Sequence, residues 1–283
     1  MKRFYILPLG FFVFIFVMMG CTIPLGSASS EGHVVYCDHN YDVVKESYKS
    51  NKGSTVKKEY LLEPFETLRV SSALNVIVSK GREYRLTAVG SSSLMDKIRV
   101  RNNNGTLSLS LKGEVSYRKK ERLQLYVTTP SLNCINVSGA SVVKGLEHAN
   151  VFEANKMRID LSGASVISNL NLRSDYLSIE VSGASAMKMV AVESNSTAVD
   201  VSGCSSFNMT NKSDQLSLDV SGASSVMING VANYVAASAS GASLLRLTNL
   251  IVRYGKVSAT GASQIRLGKG EYKTSKTKSS VIK

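Results

Sequence analysis

The chain has 283 residues, 43% hydrophobic and 19% charged, with no Trp, four Pro and a formal charge of +13. That apolar content excludes a largely disordered chain, and the low Pro count excludes a collagen-like or Pro-rich polymer. The charge is uneven: residues 61–130 carry twelve basic and six acidic side chains, net +6, whereas residues 131–268 carry ten and nine, net +1. The longest regular segment is therefore nearly neutral, which argues against a nucleic-acid partner and leaves an anionic surface as the better fit to the basic balance.

Lys2 and Arg3 followed by the apolar run Phe4–Met19 form the positive and hydrophobic regions of a secretory signal. Gly20-Cys21 then resembles a lipoprotein lipobox, with Met18 where Leu is usual. Cys21 is the expected lipidation site, and its acyl chains would hold the protein on a membrane. A cleaved signal without lipid and an uncleaved anchor are the competing readings. Residues 1–20 are thus assigned to the signal and residues 21–58, polar and aperiodic, to a flexible tether. Three widely spaced thiols remain, Cys37, Cys134 and Cys204, too few and too scattered for a disulfide framework or a zinc site. Cys134 and Cys204 lie in strand-like contexts and read as small buried residues.

Residues 59–130 read as an N-terminal β region. Leu68-Arg69-Val70, Val76-Ile77-Val78 and Leu107-Ser108-Leu109-Ser110-Leu111 alternate, and Asn102-Asn103-Asn104-Gly105 marks a turn. These strands predict either the first turns of a solenoid or a small sheet capping it.

From residue 131 to 268 a tetrapeptide recurs. Ser-Gly-Ala-Ser or a near copy surrounds Gly139, Gly163, Gly183, Gly203, Gly222, Gly241 and Gly261, at steps of 19 to 24 residues. A fixed period near 20 is a solenoid signature. Before the glycines the chain alternates, as in Ile179-Glu180-Val181, and after them it alternates again, as in Phe207-Asn208-Met209. No repeat has room for a ten-residue helix. The consistent solution is all-β: a parallel β-helix with one coil per repeat and the tetrapeptide at each corner. Gly supplies a backbone angle closed to other residues, Ala is expected to stack inside, and the serines to form hydroxyl ladders between coils about 4.8 Å apart. Residues 269–283, with five Lys and one Glu, are read as a basic tail.

Leu68-Arg69-Val70-Ser71, Val89-Gly90, Ile98-Arg99-Val100, Gly105-Thr106-Leu107, Val127-Thr128-Thr129-Pro130 and the Ser-Gly-Ala-Ser coils together resemble the head GIN domain family of auto-transporter adhesins, over about residues 60–270. The resemblance implies a right-handed β-helix and an adhesin role on lipoproteins of Bacteroidetes. It supplies no catalytic residues.

One constellation in the repeats bears charge. Three residues before successive glycines stand Asp160, Glu180, Asp200 and Asp219, which the coil period stacks into an acidic stripe. Such a stripe could take a cation or ligand, or supply a carboxylate pair for glycan chemistry; the plainer reading is an exposed row screened by water. The three His residues have neither triad nor metal spacing, so no catalytic residue, metal site or cofactor is expected. The function expected is a non-enzymatic, lipid-anchored envelope protein of the outer membrane, binding surface glycans or envelope proteins through the flank of the coil stack. The alternatives are a carbohydrate-active enzyme using the stripe and a structural homo-oligomer. A straight flank is expected to offer little concavity.

Overall fold

The computed structural model describes residues 55–113, 123–146 and 151–283, with the backbone of strand β1 (Val44–Ser47). The expected signal, Cys21 and most of the tether lie outside the described residues. Beyond β1 the chain runs through β2 (Thr55–Leu61), β3 (Thr67–Val70), β4 (Asn75–Lys80), β5 (Arg85–Ser91), one helical turn α1 (Ser92–Met95), β6 (Ile98–Asn103), β7 (Thr106–Leu111) and β8 (Leu123–Thr129). It continues as β9 (Cys134–Val137), β10 (Val142–Gly145), β11 (Val151–Leu161), β12 (Val166–Ser168) and β13 (Asn171–Val181). Four long strands follow, β14 (Ala186–Val201), β15 (Ser206–Val220), β16 (Ser225–Ala239) and β17 (Leu244–Ala259). The chain closes with β18 (Gln264–Arg266), β19 (Glu271–Lys276) and β20 (Val281–Ile282).

From β9 onward the pairing is parallel and each residue meets its counterpart one repeat away: Ile159 beside Ile179, Ile179 beside Val199, Val199 beside Leu218. This is a β-solenoid. Alternation decides the inside: in β15 the buried positions include Phe207, Met209, Leu216, Leu218 and Val220, with exposed or partly exposed residues between them. Each fully buried Leu, Ile or Val contributes about 1.5–3 kcal/mol over its exposed state, and the rows stack into one continuous core.

The corner glycines all have positive φ, between 62 and 75°. Successive corners also touch: a Cβ on Gly183 would lie 2.4 Å from the Gly163 carbonyl oxygen, and Ala184 donates its backbone N–H to that same oxygen at 2.8 Å. The rest of the corner corrects the sequence reading. Gly183 and Ala184 both face solvent, and the following Ser185 is buried, a pattern repeated at the other corners. Ser185 keeps the inward parity of Val181 and Met187 and Ala184 the outward one, while Gly183 departs from the alternation by turning outward at the corner. The serine hydroxyls do not form a ladder among themselves; Ser185, Ser205 and Ser224 donate to the carbonyls of Gly163, Gly183 and Gly203 one coil below, at 3.3–3.4 Å. Cys204, at the Ala position, is therefore exposed rather than buried. Cys134 is partly buried, and burial pushes its thiol pKa upward.

The N-terminal part is both solenoid and cap, but not in chain order. Strands β3 and β4 form a coil on which β9 and β10 stack on one side and β7 and β8 on the other. The coil laid down later thus lies on the outer side of the earlier one. Beyond it the pairing turns antiparallel, β6 on β7 and β5 on β8, with β2 on β5 and β1 on β2. Antiparallel strands hide the edge that an open parallel stack would expose.

The expected limits of the tether and tail also shift. Strand β2 begins at Thr55, and Lys58 is buried with its ammonium 3.5 Å from Asp96. At the other end β19 pairs with β17 and β20 with β18, so residues 271–282 form part of a last coil rather than a free tail. Its exposed Lys273 and Lys276 line the terminal edge, where charge discourages pairing with another chain.

Candidate functional site

The acidic stripe exists in register. Asp160 stands beside Glu180, Glu180 beside Asp200 and Asp200 beside Asp219, with Asn136 before the row and Ser238 and Ser258 after it. Its members are not equivalent. Arg158 places its guanidinium 3.0 Å from the Asp160 carboxylate and 2.9 Å from that of Glu180, neutralising the first half. Asp200 and Asp219 have no cation at ion-pair distance among the described residues. Burial, then the charges of Asp219 and Glu180, push the Asp200 carboxyl above its usual range. The four carboxylates lie along a sheet face, one per coil. Among the described residues no three His, Cys, Asp or Glu side chains are grouped to hold a metal.

Concavity lies elsewhere, at the second bend of each coil, and corrects the expectation of a plain flank. A groove of about 820 Å³ runs across six coils there. One residue per coil drops out of the ladder at this bend: Asp175, Asn195, Asp214 and Asn233 in successive coils, followed by Arg253. Asn and Asp alternate for a physical reason. Stacked Asp residues would repel, whereas each Asn amide donates to the carboxylate below: Asn195 to Asp175 at 3.0 Å and Asn233 to Asp214 at 2.7 Å.

The opposite wall is a second ladder of alternating sign. Arg173 sits 3.4 Å from Glu153 and 3.2 Å from Glu193, and Lys212 lies 2.7 Å from Glu193. The two cations hold the Glu193 carboxyl below its usual range, the hydrogen bond from Lys212 acting most strongly. Between the walls the floor is small and buried, Ser174, Ser194, Ser213 and Ala232. The next two coils replace the charged wall by Val231 and Ile251, 43% and 57% exposed. Just past the Asn and Arg positions, outside the groove lining, stand Tyr234 and Tyr254, 44% and 50% exposed, with the Arg253 guanidinium 5.4 Å from the centre of the Tyr254 ring. The groove thus offers paired charges and side-chain amides at one end and the aliphatic Val231 and Ile251 at the other, with the two tyrosine faces just beyond its lining.

The sequence reading passed over this groove, although its signals were present. Asp175, Asn195, Asp214 and Asn233 recur with the repeat period, and Tyr234 and Tyr254 are one coil apart. What the sequence lacked was the inward fold of the bend. Lys144 and Lys188, each five positions after its corner glycine, do not form a continuous basic row, since Ser168 separates them. His148 lies outside the described residues.

The likeness to known proteins follows the solenoid. A “putative adhesin” of Parabacteroides merdae superposes with a TM-score of 0.68 at 12% identity, over 83% of this chain and 98% of its own. A “putative adhesin” of Parabacteroides distasonis gives 0.62 at 14%, over 82% and 97%. A “putative lipid binding protein” of the same organism gives 0.62 at 15%, over 82% and 94%. At these identities the likeness is one of fold. No curated protein matches the sequence. Among the described residues no helix is long and apolar enough to cross a membrane. The coils and the cap carry the same family profile, which matches residues 64–211 and again 177–281, and the chain accordingly belongs to the family described as “Putative auto-transporter adhesin, head GIN domain”.

Proposed function

We propose that this protein is a non-enzymatic envelope lipoprotein, held on the outer membrane through acylated Cys21, whose coil stack binds extended glycans along the bend groove. The groove carries this reading. Its charged wall is paired within itself, so it presents hydrogen-bonding groups with little uncompensated charge, next to two exposed tyrosine faces. A polyhydroxylated neutral chain needs both kinds of contact, planar polar groups for its hydroxyls and ring faces for its C–H surface. The contact recurs about every 4.8 Å along the axis, so weak contacts add through multivalency rather than through one deep pocket.

The full chain should therefore bind members of a neutral oligosaccharide panel without releasing shorter products. Tyr234→Ala together with Tyr254→Ala should weaken that binding about tenfold, a loss near 1.4 kcal/mol. Asp200→Asn together with Asp219→Asn should leave it unchanged. Product release by the parent that disappears in the Asp200/Asp219 variant would instead establish the enzyme reading of the stripe. Detergent-phase partitioning unchanged by Cys21→Ser would remove the lipid anchor.

A further inference from the structure

The row that holds the acidic stripe continues in the other direction and changes sign. Beside Asn136 lies Arg69, beside Arg69 lies Ser108, and beside Ser108 lies Arg101. Arg99, two residues before Arg101 on β6, stands opposite Ser110 on the same face. All three arginines are exposed, and they ring a concavity of about 340 Å³ whose lining also includes Ser108, Ser110 and Asn136. Strand spacing puts Arg69 and Arg101 two strands apart, about 10 Å between backbones, and Arg99 about 7 Å along from Arg101. Guanidiniums on long side chains reach a common point from those distances.

Three arginines elsewhere on the described surface are matched by acids, Arg85 by Glu83, Arg158 by Asp160 and Glu180, and Arg173 by Glu153 and Glu193, whereas unmatched ones such as Arg82, Arg253 and Arg266 do not share a concavity with two others. Among the described residues none of Arg69, Arg99 and Arg101 has a carboxylate at ion-pair distance. Three planar donors lining one concavity, with serine hydroxyls beside them and no internal counter-charge, match a tetrahedral oxyanion bearing more than one negative charge. A single carboxylate would satisfy one guanidinium fork and leave two.

We infer that the Arg69, Arg99 and Arg101 concavity on the N-terminal cap is a binding site for a phosphate group, either free or carried on a lipid headgroup. The site is independent of the groove and does not rest on glycan binding there.

The test titrates the full chain with inorganic phosphate, followed by calorimetry, and measures co-sedimentation with vesicles of phosphatidylcholine with or without phosphatidic acid. Phosphate should saturate the parent, and Arg99→Ala or Arg101→Ala should weaken it about tenfold or more. Arg101→Lys, which keeps the charge but loses the fork, should also weaken it at an unchanged melting temperature, separating recognition from folding. The double variant Lys188→Ala and Lys256→Ala removes two exposed charges away from the site and should bind phosphate as the parent does. If binding to phosphatidic acid vesicles follows the same order of variants, a lipid headgroup is the source; if only phosphate titration does, free phosphate is. Absence of saturable phosphate binding, or equal losses in the arginine and lysine variants, would overturn the site and leave only bulk charge.

Discussion

The coils of residues 151–266 and the cap of residues 55–145 share one core but solve different problems. In the coils a residue's spatial neighbour is its own counterpart about 20 positions away, so one local pattern, repeated, specifies the register. In the cap β7 pairs with β3 about 40 residues earlier, and β6 and β5 run antiparallel. Charge divides in part in the same way: Arg158, Arg173 and Lys212 on the coils meet acids across adjacent coils, although Asp200 and Asp219 stay unpaired, whereas the cap leaves Arg69, Arg99 and Arg101 open. Repetition favours self-complementary surfaces, because each side chain faces a near copy of itself and like charges stacked there are costly.

The largest expected effect lies in the coil core. Phe207 is fully buried with Met187 and Val226 on either side, and Phe207→Ala should cost about 3–5 kcal/mol in denaturant unfolding. A loss under about 1 kcal/mol would mean that the coils relax around the cavity and are not tightly packed.

Next is a paired test of the corners. Gly183 and Gly105 have similar φ, 75 and 70°, but a Cβ on Gly105 of the cap turn meets nothing within 4 Å. Gly183→Val should cost about 3 kcal/mol or more, combining backbone strain with a clash against the coil below, while Gly105→Val should cost about 1–2 kcal/mol from strain alone. Equal midpoint shifts would show that coil contact adds nothing at the corner.

A smaller effect tests the inverted corner. Ser224→Ala removes a buried hydroxyl that donates to Gly203 and should cost about 1 kcal/mol. Ala223→Ser, one position earlier and exposed, should change stability by less than about 0.5 kcal/mol. Thermal unfolding of the two variants would expose a reversed order.

Much of this fold was legible because the period is local. The spacing of Gly139 to Gly261 located the corners, and the alternation around Ile179 and Leu218 identified the buried face. The acidic stripe was legible for the same reason, since equal offsets from equal corners must stack. The orientation of Ala184 and Ser185 follows from the same count, since Val181, Ser185 and Met187 share one parity, and only the small size of Ala favoured the inside; the outward turn of Gly183, which leaves three residues in succession unburied, was not legible. Nor was the coil order of the cap, which depends on pairings between dissimilar strands. The bend groove was half legible: its ladder of Asp175, Asn195, Asp214 and Asn233 is periodic, but concavity belongs to the path of the backbone.

The smallest effect concerns the stripe. Because the folded state holds a proton on Asp200 more tightly than the unfolded chain does, its charge opposes folding above the ordinary carboxylate range. Asp200→Asn should therefore stabilise the protein at neutral pH, by less than about 0.5 kcal/mol at so exposed a site. The gain should vanish as pH falls below that range and shrink in high salt. Destabilisation at neutral pH would indicate that the carboxylate is paired.

Whether the bend groove or the acidic stripe is the working face of the coils is decided most directly by chemical-shift mapping of the full chain with the tightest-binding oligosaccharide. The groove reading predicts perturbations concentrated at Val231, Asn233, Tyr234, Ile251, Arg253 and Tyr254, fading toward Asp175 and Asn195. Perturbations centred on Glu180, Asp200 and Asp219, with the tyrosines unmoved, would contradict it.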